Sequence, residues 1–332
     1  MNREYLLNFL KQNDSIIQKN LILEKKQLQS KSPFLLKPLL KFFSNKLVKK
    51  KIYLFNDTSI TSHTGCLAVM NCLNFQLKNF QVTRHYCGET IIDDEKFEQA
   101  DCIIINGEGT IHSNNAKSIF LMNVAKKAIL MKKKIALINF SYFNMSSSFD
   151  EVLKKVDYLS VRDLFSYNFL KKKFHVELNF DLSICKNFIF DEITNDANYT
   201  ALNYNEIVGD SVFKKLEIKS EKSFFSLDLL NCSLPKSFFI KIIKDVRIHI
   251  TGRFHSVILS GLAGSRFLAF SSNTPKIESI IEWSKIPIPI INHSKEFEKK
   301  YRYAIENPSI YNEFKSFLNS QKKFSLEEKI NI

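Results

Sequence analysis

Short, nearly continuous apolar runs recur along the middle of this chain. Each closes on a polar or glycine-containing turn and is followed by apolar positions at helical spacing. In the first half the runs are Lys51-Ile-Tyr-Leu-Phe55, Gln81–Tyr86, Asp101-Cys-Ile-Ile-Ile105, Lys134–Phe140 and Asp157–Asp163, with Leu178–Leu182 closing the series. Runs so short and so apolar predict strands covered by helices on both faces. The covering helices are predicted from Leu67, over 115–133, over 150–156 and over 165–171. Strand and helix in alternation give an α/β chain with a doubly wound sheet, in which ligands gather at the carboxyl ends of strands.

The pattern resumes after residues 186–205, whose mixed polarity reads as a connection. Glu206–Gly209 and Phe224–Leu230 are strand-like, and Pro235–Lys244 is helical. Asp245–Thr251 then forms a strand that stops at Thr251-Gly252, with a helix following through Gly264. Arg266–Phe270 is the next strand, and Pro275–Trp283 a helix with proline in its first turn. Ile286-Pro-Ile-Pro-Ile-Ile291 suits only a sheet edge, because proline cannot donate to a ladder. Ser294–Lys329 reads as amphipathic helix crossing back to brace the first half. The expected organisation is an arm over 1–50, α/β units over 51–190 and 191–292, and closing helices over 293–332.

The arm changes the electrostatic picture. Residues 1–50 hold eleven Lys/Arg against three Asp/Glu, so they carry +8 of the chain's formal +14. Leu6, Leu7, Phe9, Leu10, Ile16, Ile17, Leu21 and Ile22 favour helix up to Ser32-Pro33; the basic, apolar Phe34–Phe43 that follows suits either packing on the domain, the commoner fate of an apolar helix stripe, or a bilayer surface. No helix-turn-helix, zinc-finger or RNA-binding signature accompanies the charge, so the expected partner is an anionic membrane surface or acidic glycan carrier, with no nucleic acid. No run reaches the roughly 18 apolar residues of a membrane span, and no signal peptide is legible. The expected location is the cytoplasm, with the arm able to meet the inner face of the membrane. Six scattered cysteines without C-x-x-C pairing read as reduced core residues and give no metal site.

Candidate chemistry sits at the strand ends. Arg253 and His255 fall at a helix start, where free backbone N–H groups and the helix dipole already favour an anion. Taken alone, the pair reads equally well as an exposed turn arginine and a core histidine. Asn106-Gly107-Glu108-Gly109-Thr110 lets backbone approach a ligand and brings a carboxylate to the sheet edge. Arg162 is either a paired structural arginine or a second anion clamp, since guanidinium matches carboxylate and phosphate. Asn56-Asp57-Thr58 and Ser62-His63-Thr64-Gly65-Cys66 make a polar loop before the first helix.

Four of these features in order, the Asn56–Gly65 loop, the Ile103–Thr110 turn, Ser160–Asp163 and Thr251–His255 followed by Lys276, resemble the polysaccharide pyruvyl transferase family. Two features depart from its usual pattern: Ser62–Cys66 replaces a Gly-Asn-x-Gly-Asp loop, and Glu108 stands where a third glycine is common. The resemblance implies two Rossmann-like domains in a GT-B-like arrangement, here with an N-terminal helical arm. It also implies a transferase that forms a pyruvate ketal on two hydroxyls of a glycan or lipid-linked sugar. Phosphoenolpyruvate is the implied donor, with no cofactor or metal. On this reading Arg253 holds phosphate, Arg162 holds carboxylate and His255 donates the proton, with Glu108 also catalytic. Glu108, Asp57 and His63 address the sugar, and Asn106, Gly107, Thr110 and Lys276 line the site. A GT-B-type glycosyltransferase using a nucleotide sugar is the alternative, and an idle scaffold that binds an anionic glycan is a third reading.

The arm yields a direct expectation. Deleting residues 1–50 should lower co-sedimentation with anionic liposomes and leave the circular dichroism of the remainder unchanged; equal sedimentation of both forms would remove the membrane role.

Overall fold

A computed structural model of the chain describes residues 49–61, 63–184, 200–203, 224–226, 243, 246–272, 274–320 and 325–330. The arm, Glu206–Gly209 and all of Pro235–Lys244 except Ile243 lie outside the described residues. So do Cys185 and Cys232.

In the first half the elements run β1 (Lys51–Asp57), α1 (Thr64–Gln76), β2 (Gln81–Tyr86), α2 (Asp94–Gln99), β3 (Cys102–Glu108), α3 (Ala116–Leu130) and β4 (Lys134–Phe140). They continue with α4 (Asp150–Leu153), β5 (Tyr158–Val161), α5 (Leu164–Leu170), β6 (Glu177–Leu178) and a 3₁₀ turn over Leu182–Ile184. The second half contains β7 (Thr200–Asn203), β8 (Phe224–Ser226), β9 (Ile248–Thr251), α6 (Phe254–Ala263), β10 (Phe267–Phe270), α7 (Lys276–Ser284) and β11 (Ile290–Ile291). It closes with α8 (Phe297–Glu306), α9 (Ser309–Asn319) and α10 (Leu326–Ile330).

Six strands form one sheet in the order β2-β1-β3-β4-β5-β6, and five form another in the order β11-β10-β9-β7-β8. Every registered pair in both is parallel. Numbered from its own first strand, the first sheet runs 2-1-3-4-5-6 and the second 2-1-3-4-5, the doubly wound arrangement whose direction reverses beside its first strand. The first reversal lies between β1 and β3, and the second between β7 and β9. The expected ligand positions are therefore the carboxyl ends of β1, β3, β7 and β9.

Several expectations need correction. Residues 186–205 were expected to be a connection, yet Thr200–Asn203 is an inner strand of the second sheet. Parallel pairing to β9 makes this short segment a strand, although its own composition carries no strong period. Helix α1 begins at Thr64 rather than Leu67, because His63 caps it with Nδ1 accepting the N–H groups of Gly65 at 3.2 Å and Cys66 at 3.3 Å. Thr64, Gly65 and Cys66 of the expected polar loop are thus helix, and Asn56 and Asp57 belong to β1. The closing amphipathic segment is three helices, broken at Pro308 and again before α10.

The bracing role expected of that segment is present. Leu326 and Ile330 of α10 enter the core under β1 and α1 with Leu54, Val69 and Leu73. The backbone N–H of Leu326 donates to Gln76, and Lys329 pairs with Glu177. Helix α9 covers the second sheet instead, where Tyr311, Phe314 and Leu318 pack with Phe267 and Ile258. Helix α6 lies at the centre, with all ten of its residues buried. It ends at Gly264 in the left-handed region (φ 70°), a common helix stop.

Close approach of α6 and α9 depends on Gly261, where a Cβ would lie 2.6 Å from Phe314 ring carbons and 2.7 Å from Leu318. Gly261→Ala should therefore destabilise the fold by ~1–3 kcal/mol through overpacking. The check is a lower denaturant midpoint at an unchanged m-value.

Candidate active site

Three adjacent strands of the first sheet end in a strained polar layer. Asn56 (φ 60°), Glu108 (φ 39°) and Asn139 (φ 56°) close β1, β3 and β4 in the left-handed region. Asparagine tolerates that conformation; glutamate much less so. Glu108 is held there by three donors: Thr58 Oγ1 at 2.7 Å and Asn106 Nδ2 at 2.9 Å, both to Oε1, and Cys66 Sγ at 3.3 Å to Oε2. Asn56 Nδ2 donates to the Asn106 carbonyl at 2.6 Å, and Asn139 Nδ2 to Asn106 Oδ1 at 3.3 Å. Non-glycine strain of this kind, fixed by surrounding bonds, is characteristic of ligand sites.

A second group joins the two halves. Asp181, just after β6, accepts from Arg162 Nη1 at 2.6 Å and from the backbone N–H of Ser183 at 2.9 Å. Its Oδ1 lies 3.6 Å from His255 Nε2 at the start of α6. Burial alone would raise the carboxyl's pKa, but the Arg162 guanidinium and His255 hold it well below the usual carboxylate range. Arg162 is itself buried, with Nε donating to Ser141 Oγ at 3.2 Å and its guanidinium over the Phe254 ring at 4.6 Å. Its Nη2 faces Gly109, where a Cβ would stand 3.4 Å away. Arg253 is the N-cap of α6, and its side chain makes no capping bond to the first N–H groups of the helix. His63 meets His255 edge to face at 5.3 Å between centroids.

Lys276 opens α7, whose start has no side-chain cap either. Burial, and after it the nearby Arg162, brings its ammonium down to about 7, against an opposing pull from Asp163 and Glu278. The field of Lys276 also reaches His112, whose pKa is lowered first by burial. His63 is pushed down to about 3 by burial and by the charges of His255 and Arg253, so it is neutral near pH 7.

Of the residues singled out from sequence, His63, Glu108, Arg162, Arg253, His255 and Lys276 converge on the facing sheet edges. Asn106 and Gly107 lie beneath them. Gly107 is needed for packing as much as for a ligand, since a Cβ there would be 2.3 Å from Phe140 Cβ. Thr110 lies in the turn after β3, its N–H bonded to the Gly107 carbonyl at 2.9 Å. Asp57 has no exposed surface and is held by Arg84 and by the Ser59 N–H. Asp163 caps α5 through the backbone N–H and hydroxyl of Ser166, both at 2.8 Å. Sequence reading missed Asp181, Cys66, Thr58 and Ser141. Asp181 carried the one available signal, an acid at the end of an apolar strand.

His63, Cys66 and His255 bring one nitrogen or sulfur each within 4.8 Å of one another, a donor set that zinc favours. Their hydrogen bonds oppose a metal. Because His63 Nδ1 accepts two backbone N–H groups, the neutral ring keeps its proton on Nε2 and offers no further lone pair. The Cys66 thiol is raised well above its ordinary pKa by burial and by Glu108, which favours S–H over the thiolate a metal requires.

The chain matches the polysaccharide pyruvyl transferase family over residues 4–274, and it belongs to that family. No curated protein matches it in sequence. Among solved structures, the S. aureus MnaA protein with UDP aligns at 9% identity over 80% of this chain and 91% of that chain, with a TM-score of 0.51. A Listeria monocytogenes protein described as a UDP-N-acetylglucosamine 2-epimerase aligns at 8% identity over 81% and 91%, also at 0.51. Spinosyn rhamnosyltransferase SpnG covers 84% of this chain and 99% of its own at 6% identity and a TM-score of 0.45. Identities this low speak to the α/β fold only. Among the described residues, no helix is long and apolar enough to cross a membrane.

Lys276 generates a pH prediction. Its charge is present below about 7 and lost above, so sulfate, whose own charge is constant there, should bind more weakly as pH rises through that value. The drop should be about tenfold, the weight of one charge-assisted contact of ~1.5 kcal/mol. Lys276→Met should bind sulfate weakly and with little pH dependence, as read by titration calorimetry.

Proposed function

We propose that this protein transfers the pyruvyl group of phosphoenolpyruvate to two hydroxyls on a sugar of a cell-surface polysaccharide or its lipid-linked precursor. The observation that carries the reading is that Lys276 stands within the field of Arg162 and Arg253, while Arg162 shares Asp181 with His255. A donor with a phosphate and a carboxylate needs two cationic grips and one acid beside its enol carbon. Arg253 and the uncapped start of α6 hold the phosphate. Lys276 and the Nη2 edge of Arg162 hold the carboxylate, because the rest of the Arg162 guanidinium is committed to Asp181 and Ser141.

The reaction balances without an outside reductant or oxidant. A proton from His255 adds to the methylene carbon of the donor, and a sugar hydroxyl attacks the neighbouring carbon. Phosphate leaves as the second hydroxyl closes the ketal. One hydroxyl proton returns to His255, and the other departs with phosphate. Glu108 and His63 face the acceptor; His63 does so as a neutral N–H donor. Asp57 contributes by fixing the loop after β1 through its bond to Ser59.

The UDP bound in the S. aureus protein of like fold favours a second reading, in which the start of α6 grips a nucleotide-sugar diphosphate and a glycosyl group is transferred. The two separate in one experiment. Phosphoenolpyruvate should raise the melting temperature and release phosphate when an acceptor glycan is added. A shift with UDP- or CMP-sugars alone would replace pyruvyl by glycosyl transfer. Arg253→Lys keeps the charge but loses the guanidinium fork, so donor affinity should fall by ~1–3 kcal/mol. His255→Gln should bind donor nearly as well and lose ~100-fold or more in turnover.

A further inference from the structure

We propose that Asp181 is the positioning residue for His255, and that Nδ1 of His255 is the ring atom that exchanges a proton with the ligand. The identity of that ligand rests on the pyruvyl-transfer reading; the geometry does not. Asp181 and His255 come from different halves of the chain, the first from the turn after β6 and the second from the start of α6.

The two edges of the His255 ring meet different surroundings. Nε2 is buried and has no hydrogen bond among the described residues, and Asp181 Oδ1 lies 3.6 Å from it. That distance is longer than a hydrogen bond and shortens to one with a small ring rotation, a tightening common when a ligand closes an acid–base site. Nδ1 faces the start of α1. The ring fills the space beside Gly65, where a Cβ would lie 2.4 Å from Nδ1 and 2.2 Å from Cγ. No described group hydrogen-bonds Nδ1.

Around the pair stand Arg162 and Ser141 from the first sheet, His63 and Cys66 from the start of α1, with Glu108 behind Cys66, and Arg253 on the approach to α6. Arg162 matters most, because its 2.6 Å bond keeps the carboxylate ionised inside the protein. An ionised Asp181 accepts only, so it selects the neutral tautomer with hydrogen on Nε2 and leaves the Nδ1 lone pair toward the ligand. When the ring is protonated, the same carboxylate stabilises the imidazolium, and Nδ1–H is the acid. In the proposed reaction the Nδ1–H bond breaks as the donor's methylene C–H bond forms from the alkene electron pair. The first hydroxyl then returns its proton to Nδ1. Asp181 touches neither donor nor acceptor.

The test uses the full chain with ring-¹⁵N histidine, His255 being assigned by its loss in His255→Gln. At a pH where the ring is neutral, wild type should show the Nε2–H tautomer, and Asp181→Asn should shift toward Nδ1–H. A wild-type Nδ1–H tautomer overturns the proposal, and that spectrum decides the point even if the variant does not fold. Kinetically, Asp181→Asn should lower kcat by ~100-fold or more with a smaller change in KM for phosphoenolpyruvate. Asp181→Asn with wild-type kcat also overturns it. A correct tautomer without any consumption of phosphoenolpyruvate would remove the pyruvyl reaction and leave the assignment of Asp181 and Nδ1 standing.

Discussion

A single buried carboxylate organises the centre of this protein. Asp181 is almost fully removed from water, a position that would normally force a carboxyl to keep its proton. The Arg162 guanidinium at 2.6 Å reverses that preference, and His255 lies on the other side. Breaking such a pair would strand a charge in the interior, at a cost of ~3–5 kcal/mol. The two partners of Asp181 come from different halves of the chain, Arg162 from just after β5 and His255 from α6, so this interaction fixes the relation between the candidate acid and the first sheet.

The strained layer at the ends of β1, β3 and β4 serves the same edge. Each of Asn56, Glu108 and Asn139 has a positive φ at the end of its strand, and all three side chains bond to Asn106. The Asn139 carbonyl oxygen of the side chain accepts the Leu182 N–H at 3.1 Å, which links this layer to the turn carrying Asp181. The carboxylate of Glu108 and the carboxylate of Asp181 are thus held by one connected polar network. Water-excluded networks of this kind are rigid when fully bonded, and rigidity is what a site for directed proton transfer requires.

Packing supplies the remaining constraint. Helix α6 has no solvated face, so its residues cannot shift without disturbing α9 behind it or α1 in front. Gly261 and Gly65 mark the two contacts, one against Phe314 and Leu318 and the other against the His255 ring. Position along α6 is therefore decided by sterics, and the placement of His255 follows from it.

The alternation of apolar runs and helical periods by itself determined the α/β class and most of the strands, and it put Thr251–His255 at a strand-to-helix turn. Burial on both faces leaves parallel strands almost wholly apolar, which a single sequence displays. The same logic placed Arg162, Glu108 and Lys276 near strand ends or helix starts, since polar residues flanking such runs have nowhere else to go. Only the tertiary structure decided what these residues do. It committed most of Arg162 to Asp181, gave Asp57 to Arg84, turned His63 into a helix cap, and made Thr200–Asn203 an inner strand. Apart from the His63 cap, which is local, each outcome depends on a partner distant in sequence: Asp181 is 19 residues from Arg162, and its other partner, His255, lies in the second half. Local periodicity reports which face of a segment is buried, whereas ion pairing and ring orientation are set by what the fold brings against that face.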